Sequence, residues 1–209
     1  IKQEASDYVS LMTPVVKSLF TDLAMEITND AMQIHGGYGY TKDQGIEQLY
    51  RDNRITPIYE GTNSVQAADL VFRKLSNKNG NIIDKFLHLI KSEVNSNNEK
   101  VKPFVEQFNY YISILSKFSE WTIDKAKTNK DDVSAAANDY LKTLGYVSLA
   151  FAWVKVLNIS FKDYEENKKF YDNKINTAKF YFDKVLPRAE QHYKSAVSGS
   201  SNIMNFKFN

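Results

Sequence analysis

Apolar residues in this chain recur at three- and four-residue spacing and almost nowhere in strict alternation, a period that suits helices and not strands. The clearest run is Met12, Val15, Val16, Leu19, Phe20, Leu23, Ile27, Ala31 and Ile34. Thr13-Pro14 reads as its start. A threonine hydroxyl can accept from a free backbone N–H, and proline at the first helical position gives up no needed donor. A helix is expected from near Thr13 to His35, with Asp7 to Met12 as an upstream extension. Gly36-Gly37-Tyr38-Gly39-Tyr40 then ends it, since glycine tolerates left-handed backbone and close approach of another surface. Ile46 to Arg54 reads as a short helix stopped before Pro57. Thr62 or Asn63 can cap the next one, which is expected to turn Val65, Leu70, Val71 and Leu75 inward.

Ser76 to Gly80, SNKNG, is a polar break and the candidate domain boundary, dividing the chain into 1–76 and 77–209. Beyond it the pattern predicts four helices: Ile82 to Val94, Glu99 to Lys127, Asp131 to Asn158 and Tyr164 to Ser195. The third carries an apolar stripe of Leu141, Leu144, Val147, Leu149, Ala150, Trp153, Val154 and Leu157, and its Ala135-Ala136-Ala137 and Gly145 leave room for a neighbouring helix. Short connections favour antiparallel neighbours. Pro187 falls inside the last helix and should kink or joint it. The tail from Gly199 to Asn209 is expected to be irregular, and no internal repeat is visible. The expected fold class is all-α: a helical bundle followed by an additional antiparallel four-helix domain.

Composition excludes several function classes. A net charge of +2 over 209 residues is too small to argue for nucleic acid or an anionic membrane surface. The chain has no cysteine, which rules out disulfides and thiol catalysis and fits a reducing compartment. Three histidines without cysteine disfavour a structural zinc site, and no metal is expected. No run of apolar residues looks long enough to cross a bilayer. The chain opens on Ile1 without a signal-peptide pattern, so it is expected to be a fragment or a processed product.

Local chemistry singles out few residues. Glu60 sits in a tight turn, Tyr59-Glu60-Gly61-Thr62, where packing into a cleft would desolvate the carboxylate and make it a stronger base. The glycine cluster after Gln33 could approach a phosphate, but a helix precedes it, so it is not the dinucleotide fingerprint, and a helix cap is the plainer reading. Arg51, Asp52 and Arg54 read as ion pairs and caps that fix a turn, and His35 as a packing or hydrogen-bonding residue. Tyr110, Tyr111, Phe118, Trp121, Phe180, Tyr181 and Phe182 read as core and interface.

The order of these pieces is more specific than any of them alone. Gln33 to Tyr40, Tyr50 to Arg54 and Ile58 to Gln66 form the series Gln-x-x-Gly-Gly-x-Gly-Tyr, Tyr-Arg-Asp-x-Arg, Ile-Tyr-Glu-Gly-Thr-Asn-x-x-Gln. This series resembles the C-terminal part of the acyl-CoA dehydrogenase family over roughly Asp7 to Leu75. Ser76 to Asn209 resembles the extra helical C-terminal domain of one branch, which includes methylmercaptopropionyl-CoA dehydrogenase and related bacterial enzymes. Gln66 to Leu75 and Phe180 to Arg188 carry that likeness.

The resemblance implies a role for each matched position. Glu60 would remove the proton next to a thioester carbonyl while a hydride leaves the next carbon for FAD. The Glu60 backbone N–H would be one donor to the developing enolate oxygen. Tyr59 and Gly61 would border the substrate, Gly61 leaving room for the acyl chain. Thr62, Asn63 and Ser64 would touch the flavin nucleotide. Gln33, Gly36 and Gly37 would reach FAD held by a neighbouring subunit of a homo-oligomer, dimer or tetramer. The implied partners are an acyl-CoA and an electron-transferring flavoprotein, in a bacterial cytoplasm. The family's N-terminal helical and middle β-domains are missing from this sequence, so the chain alone is expected to be inactive. Two other readings remain: a non-catalytic binding or assembly module of the same fold, and an acyl-CoA oxidase.

Overall fold

The computed structural model describes residues 2–75, 82–94 and 98–207. Nine α-helices run along these residues: α1 (Lys2–Ile34), α2 (Ile46–Asn53), α3 (Asn63–Asp69), α4 (Ile82–Glu93), α5 (Lys102–Thr128), α6 (Lys130–Lys162), α7 (Lys168–Phe180), α8 (Arg188–Ala196) and α9 (Ser201–Met204). Short 3-10 turns join several of them, and the described residues contain no strand. The all-α expectation holds. The polar break at Ser76 to Gly80 lies outside the described residues.

The first helix starts eleven residues before Thr13, and Pro14 lies inside it. The Thr13 hydroxyl donates to the Val9 carbonyl at 2.7 Å, so it bonds back into the helix instead of capping a new one. A mid-helix proline costs about 3 kcal/mol. Here Leu11, Pro14, Val15, Ser18 and Leu19 form one buried face, and packing of that face outweighs the lost hydrogen bond. Val16, Phe20, Ile27 and Ile34 lie on the exposed side of the same helix.

Helix α6 is the centre of the molecule. It packs against α1, α3, α5, α7 and α8. Asn129 caps it, its Oδ1 accepting from the N–H groups of Asp131 and Asp132 at 3.1 and 3.4 Å. Its core residues run from Val133 through Tyr140, Leu144 and Val147 to Leu157. By length and composition this helix could cross a membrane, with a mean hydropathy of 1.5 over its most apolar stretch, so the expectation that no segment qualifies fails. The apolar residues serve neighbours on several sides, as in the core helix of a large bundle. Gly145 lets α1 come close: a Cβ there would lie 2.5 Å from Leu19 Cδ2 and 3.1 Å from Val15 Cγ1. The room predicted at Gly145 is therefore occupied by α1. The buried side chains of α1, α3, α4, α5, α6, α7 and α8 belong to one contiguous core.

The expected last helix is interrupted. A π-helical turn at Tyr181–Val185 follows α7, the Leu186 N–H reaching the Tyr181 carbonyl at 2.8 Å, and α8 begins after Pro187. The wider turn gives the proline ring space against the preceding carbonyls and leaves Tyr181 and Phe182 both buried. Pro187 thus marks the expected joint. Tyr111 and Phe118 also enter the core, whereas Tyr110 and Phe180 are exposed. The tail expected to be irregular contains α9, tied down by Asp132.

Candidate functional site

Three segments meet around the turn at Glu60. Thr62 opens α3 with its hydroxyl accepting from the Val65 N–H at 3.3 Å. That helix buries Ala67, with Leu70 and Val71 in the π-helical turn that continues it. Val65, expected inward, is 58% exposed, and Ala67 takes the core position instead. The chain enters α3 through Ile58-Tyr59-Glu60-Gly61, and here the backbone leaves the ordinary regions. Glu60 has φ +57°, the one positive value at a non-glycine among the described residues, and Gly61 follows at +80°. A left-handed conformation costs a side-chain-bearing residue about 1–2 kcal/mol. At Gly61 a Cβ would make only ordinary contacts at 3.5 Å, so within this chain it is the backbone angle that calls for glycine.

Both carbonyls of the turn are held. Gln66 Nε2 donates to the Glu60 carbonyl at 2.9 Å. Lys17 Nζ donates to the Gly61 carbonyl and to Asn63 Oδ1, each at 2.8 Å. Asn63 Nδ2 in turn donates to the Ser18 carbonyl at 3.2 Å, Thr21 Oγ1 at 3.0 Å and Asp22 Oδ1 at 2.7 Å. Lys17, Ser18, Thr21 and Asp22 lie one helical turn apart in pairs, so they present a single polar face to the turn. Lys142 of α6 lies 3.4 Å from Asp22 Oδ2, and Asn138 of α6 donates to Ser64 Oγ at 3.3 Å.

The Glu60 side chain itself is exposed, and the described residues give its carboxylate no hydrogen-bond or ion-pair partner. Among the described residues the carboxylate is therefore open to solvent, not desolvated. Its neighbours Ile58, Tyr59 and Val65 are half-exposed apolar residues. Three surface clefts elsewhere, the largest about 650 Å3 and bordered by Phe104, Phe161 and Tyr164, do not include it.

Gln33, Gly36 and Gly37 sit at the far end of α1, all exposed, and the space where Cβ atoms would stand on the two glycines is open. Fifteen residues separate Gln33 from Ser18, so this group is about 22 Å along α1 from the Glu60 turn. Within one chain the two predicted groups do not converge. His35 Nδ1 lies 2.9 Å from the Ala31 carbonyl, a local cap contact. Arg51 pairs with Glu47 at 3.8 Å and Gln48 with Asp52 at 3.4 Å, so this stretch fixes its own helix. The described residues contain no group of acidic and histidine side chains placed to hold a metal.

Lys17, Asp22, Asn138 and Lys142 belong to no motif in the sequence, yet they hold the turn. The available signal was the polar set at 17, 18, 21 and 22, which interrupts an otherwise apolar helix pattern.

Residues 2–75 match the family model described as acyl-CoA dehydrogenase, C-terminal domain, and residues 83–207 match the one described as acetyl-CoA dehydrogenase C-terminal like. The chain belongs to the acyl-CoA dehydrogenase family and corresponds to its C-terminal part. Among its relatives is the 3-methylmercaptopropionyl-CoA dehydrogenase of Ruegeria pomeroyi, 27% identical over 208 residues, covering 96% of this chain and 35% of that protein. A butyryl-CoA dehydrogenase of Syntrophomonas wolfei is 28% identical over 201 residues, covering 89% of this chain and 32% of that protein. The crystal structure of an acyl-CoA dehydrogenase complexed with FAD from Bacillus anthracis shares the fold, with a TM-score of 0.69 at 18% identity over 90% of this chain and 32% of that one. The chain thus spans about a third of the length of these relatives.

Proposed function

We propose that this chain is the C-terminal part of an FAD-dependent acyl-CoA dehydrogenase and supplies its catalytic base, Glu60. The observation that carries this reading is the left-handed backbone at Glu60, held by Gln66 and Lys17. Strain of this kind persists only where the surroundings enforce it, and such enforcement is concentrated at sites of chemistry. Glycine would relieve it, so the glutamate side chain is kept for something other than stability.

The reaction asks for a base beside a thioester. Glu60 takes the proton from the carbon next to the carbonyl, and its backbone N–H donates to the oxygen that gains charge. FAD, when bound, accepts the hydride from the adjacent carbon, which leaves a double bond between the two carbons. The exposed apolar residues Ile58, Tyr59 and Val65 suit the acyl chain and the flavin ring as cover, and that cover would exclude water from the carboxylate.

The residues after Glu60 fit an anionic cofactor. The Thr62 hydroxyl accepts from Val65 and the Ser64 hydroxyl accepts from Asn138, so each keeps its O–H proton to donate outward. The first-turn amides of Asn63, Val65 and Gln66 bond to Pro57, Thr62 Oγ1 and Thr62 within the chain, which leaves the Ser64 N–H for a phosphate. Asn63 has its side chain turned inward and contributes by holding the turn. Gln33, Gly36 and Gly37, about 22 Å away along α1, would contact the FAD of a second subunit in a homo-oligomer. An electron-transferring flavoprotein is the proposed acceptor.

The test is anaerobic addition of butyryl-CoA to the purified full-length protein. Bleaching of a bound yellow chromophore is expected, and a colourless or unresponsive protein contradicts the reading. The chain expressed alone should bind no stoichiometric FAD and oxidise no acyl-CoA.

A further inference from the structure

Helix α6 belongs to the segment beyond the polar break, yet it touches both elements that hold the Glu60 turn. Gly145 admits Leu19 and Val15 of α1 into direct contact with its backbone. One turn earlier, Lys142 stands 3.4 Å from Asp22 of α1. One turn before that, Asn138 donates to Ser64 at the start of α3 at 3.3 Å. Residues 138, 142 and 145 share one face of α6. The order of connection is continuous: Lys142 to Asp22, Asp22 to Asn63 at 2.7 Å, Asn63 to Lys17 at 2.8 Å, and Lys17 to the Gly61 carbonyl at 2.8 Å.

We infer that Lys142 and Asn138 of α6 are positioning residues for Glu60, so that the appended helical segment braces the catalytic turn from behind. This rests on the reading of Glu60 as the base. Asp22 shows why the brace matters. Its carboxylate must accept from Asn63 with the correct oxygen facing the turn, and a cation on the other oxygen fixes that orientation. Without Lys142 the carboxylate can rotate toward solvent. Asn63 then loses its shortest acceptor, and the lysine that holds the Gly61 carbonyl loses a fixed partner. The left-handed Glu60 backbone lies above the relaxed conformations in energy, so loosening the turn lets it drift from the geometry the proton transfer needs. A displacement of about 1 Å at a reacting group can cost on the order of a hundredfold in rate. The brace acts through two partly exposed contacts, so the expected loss is smaller, about tenfold.

The experiment compares Lys142→Met, Lys142→Arg and Glu60→Gln in the full-length protein. Hydrogen exchange is followed in the peptide spanning residues 55–66, and butyryl-CoA oxidation is measured with a dye acceptor. Lys142→Met should speed exchange at the amides of Asn63, Val65 and Gln66, lower kcat about tenfold with KM within about twofold, and keep FAD content. Lys142→Arg should restore both exchange and kcat, because it keeps the cation. Unchanged exchange in Lys142→Met overturns the brace, as does faster exchange with unchanged kcat. An equal effect of Met and Arg also overturns it. Failure of the underlying reading is separate and visible in the third variant: Glu60→Gln would then keep its rate whatever the exchange data show.

Discussion

Lys17 of α1 donates to the carbonyl of Gly61, forty-four residues further along the chain, at 2.8 Å. The same ammonium holds Asn63 Oδ1, so one cation spans the residue after Glu60 and the first residue of α3. Hydrogen bonds from charged donors contribute about 1.5–3 kcal/mol each, and the partial exposure here discounts that. Lys17→Met in the full-length protein should cost about 1–2 kcal/mol of stability and lower kcat more than it raises KM. Thermal melts and steady-state kinetics check this. An unchanged kcat would mean the turn keeps its shape without the lysine.

Glu60→Gly should separate stability from activity. Glycine adopts the left-handed conformation without the side-chain penalty, so this variant should be more stable by about 1 kcal/mol. It should also lose acyl-CoA oxidation. A protein that is both more stable and inactive is the signature of a residue kept for chemistry. A destabilised variant would show that the Glu60 side chain holds the fold.

Asp132 anchors the C-terminal tail and gives it a pH dependence. Its Oδ1 accepts from the Ser200 hydroxyl at 2.7 Å and the Ser200 N–H at 2.9 Å, and Lys125 lies 3.0 Å from Oδ2. The Ser200 bonds, with Lys125 behind them, lower the carboxyl from an ordinary 3.8 to about 2. A lowered folded-state value means the stabilisation is full above the unfolded value and lost as pH falls. The difference in stability between the native protein and Asp132→Asn should therefore hold above about pH 5 and shrink between about pH 4 and pH 2. Thermal melts across that range measure it. A difference that does not vary with pH would rule out the carboxylate clamp.

Much of the fold was legible because helices of this length announce themselves. The stripe from Leu141 to Leu157 reads as a core helix, and Pro187 reads as a joint, because period and proline act locally. The start at Thr13-Pro14 misled for the same reason. Locally it has the chemistry of a cap, and only the buried face from Leu11 to Leu19 keeps the helix going through it. At the site, the ordered motifs from Gln33 to Gln66 pointed to Glu60, but the parts that hold Glu60 were invisible. Lys17, Asp22 and Lys142 are ordinary helix-surface residues in sequence, and only packing of α1, α3 and α6 brings them behind the turn. Exposure of the Glu60 side chain was equally hidden, since the turn motif alone does not say which surfaces will cover it.

In the proposed reaction everything depends on Glu60 as the group that removes the proton. The direct measurement is Glu60→Gln in the full-length protein, loaded with FAD, with the rate of flavin bleaching by butyryl-CoA followed by stopped flow. A base of this kind is worth about 10²–10⁴ in rate. FAD content and acyl-CoA binding should stay normal, with bleaching slowed by at least about a hundredfold. Bleaching at the native rate would contradict this and move the base to another residue.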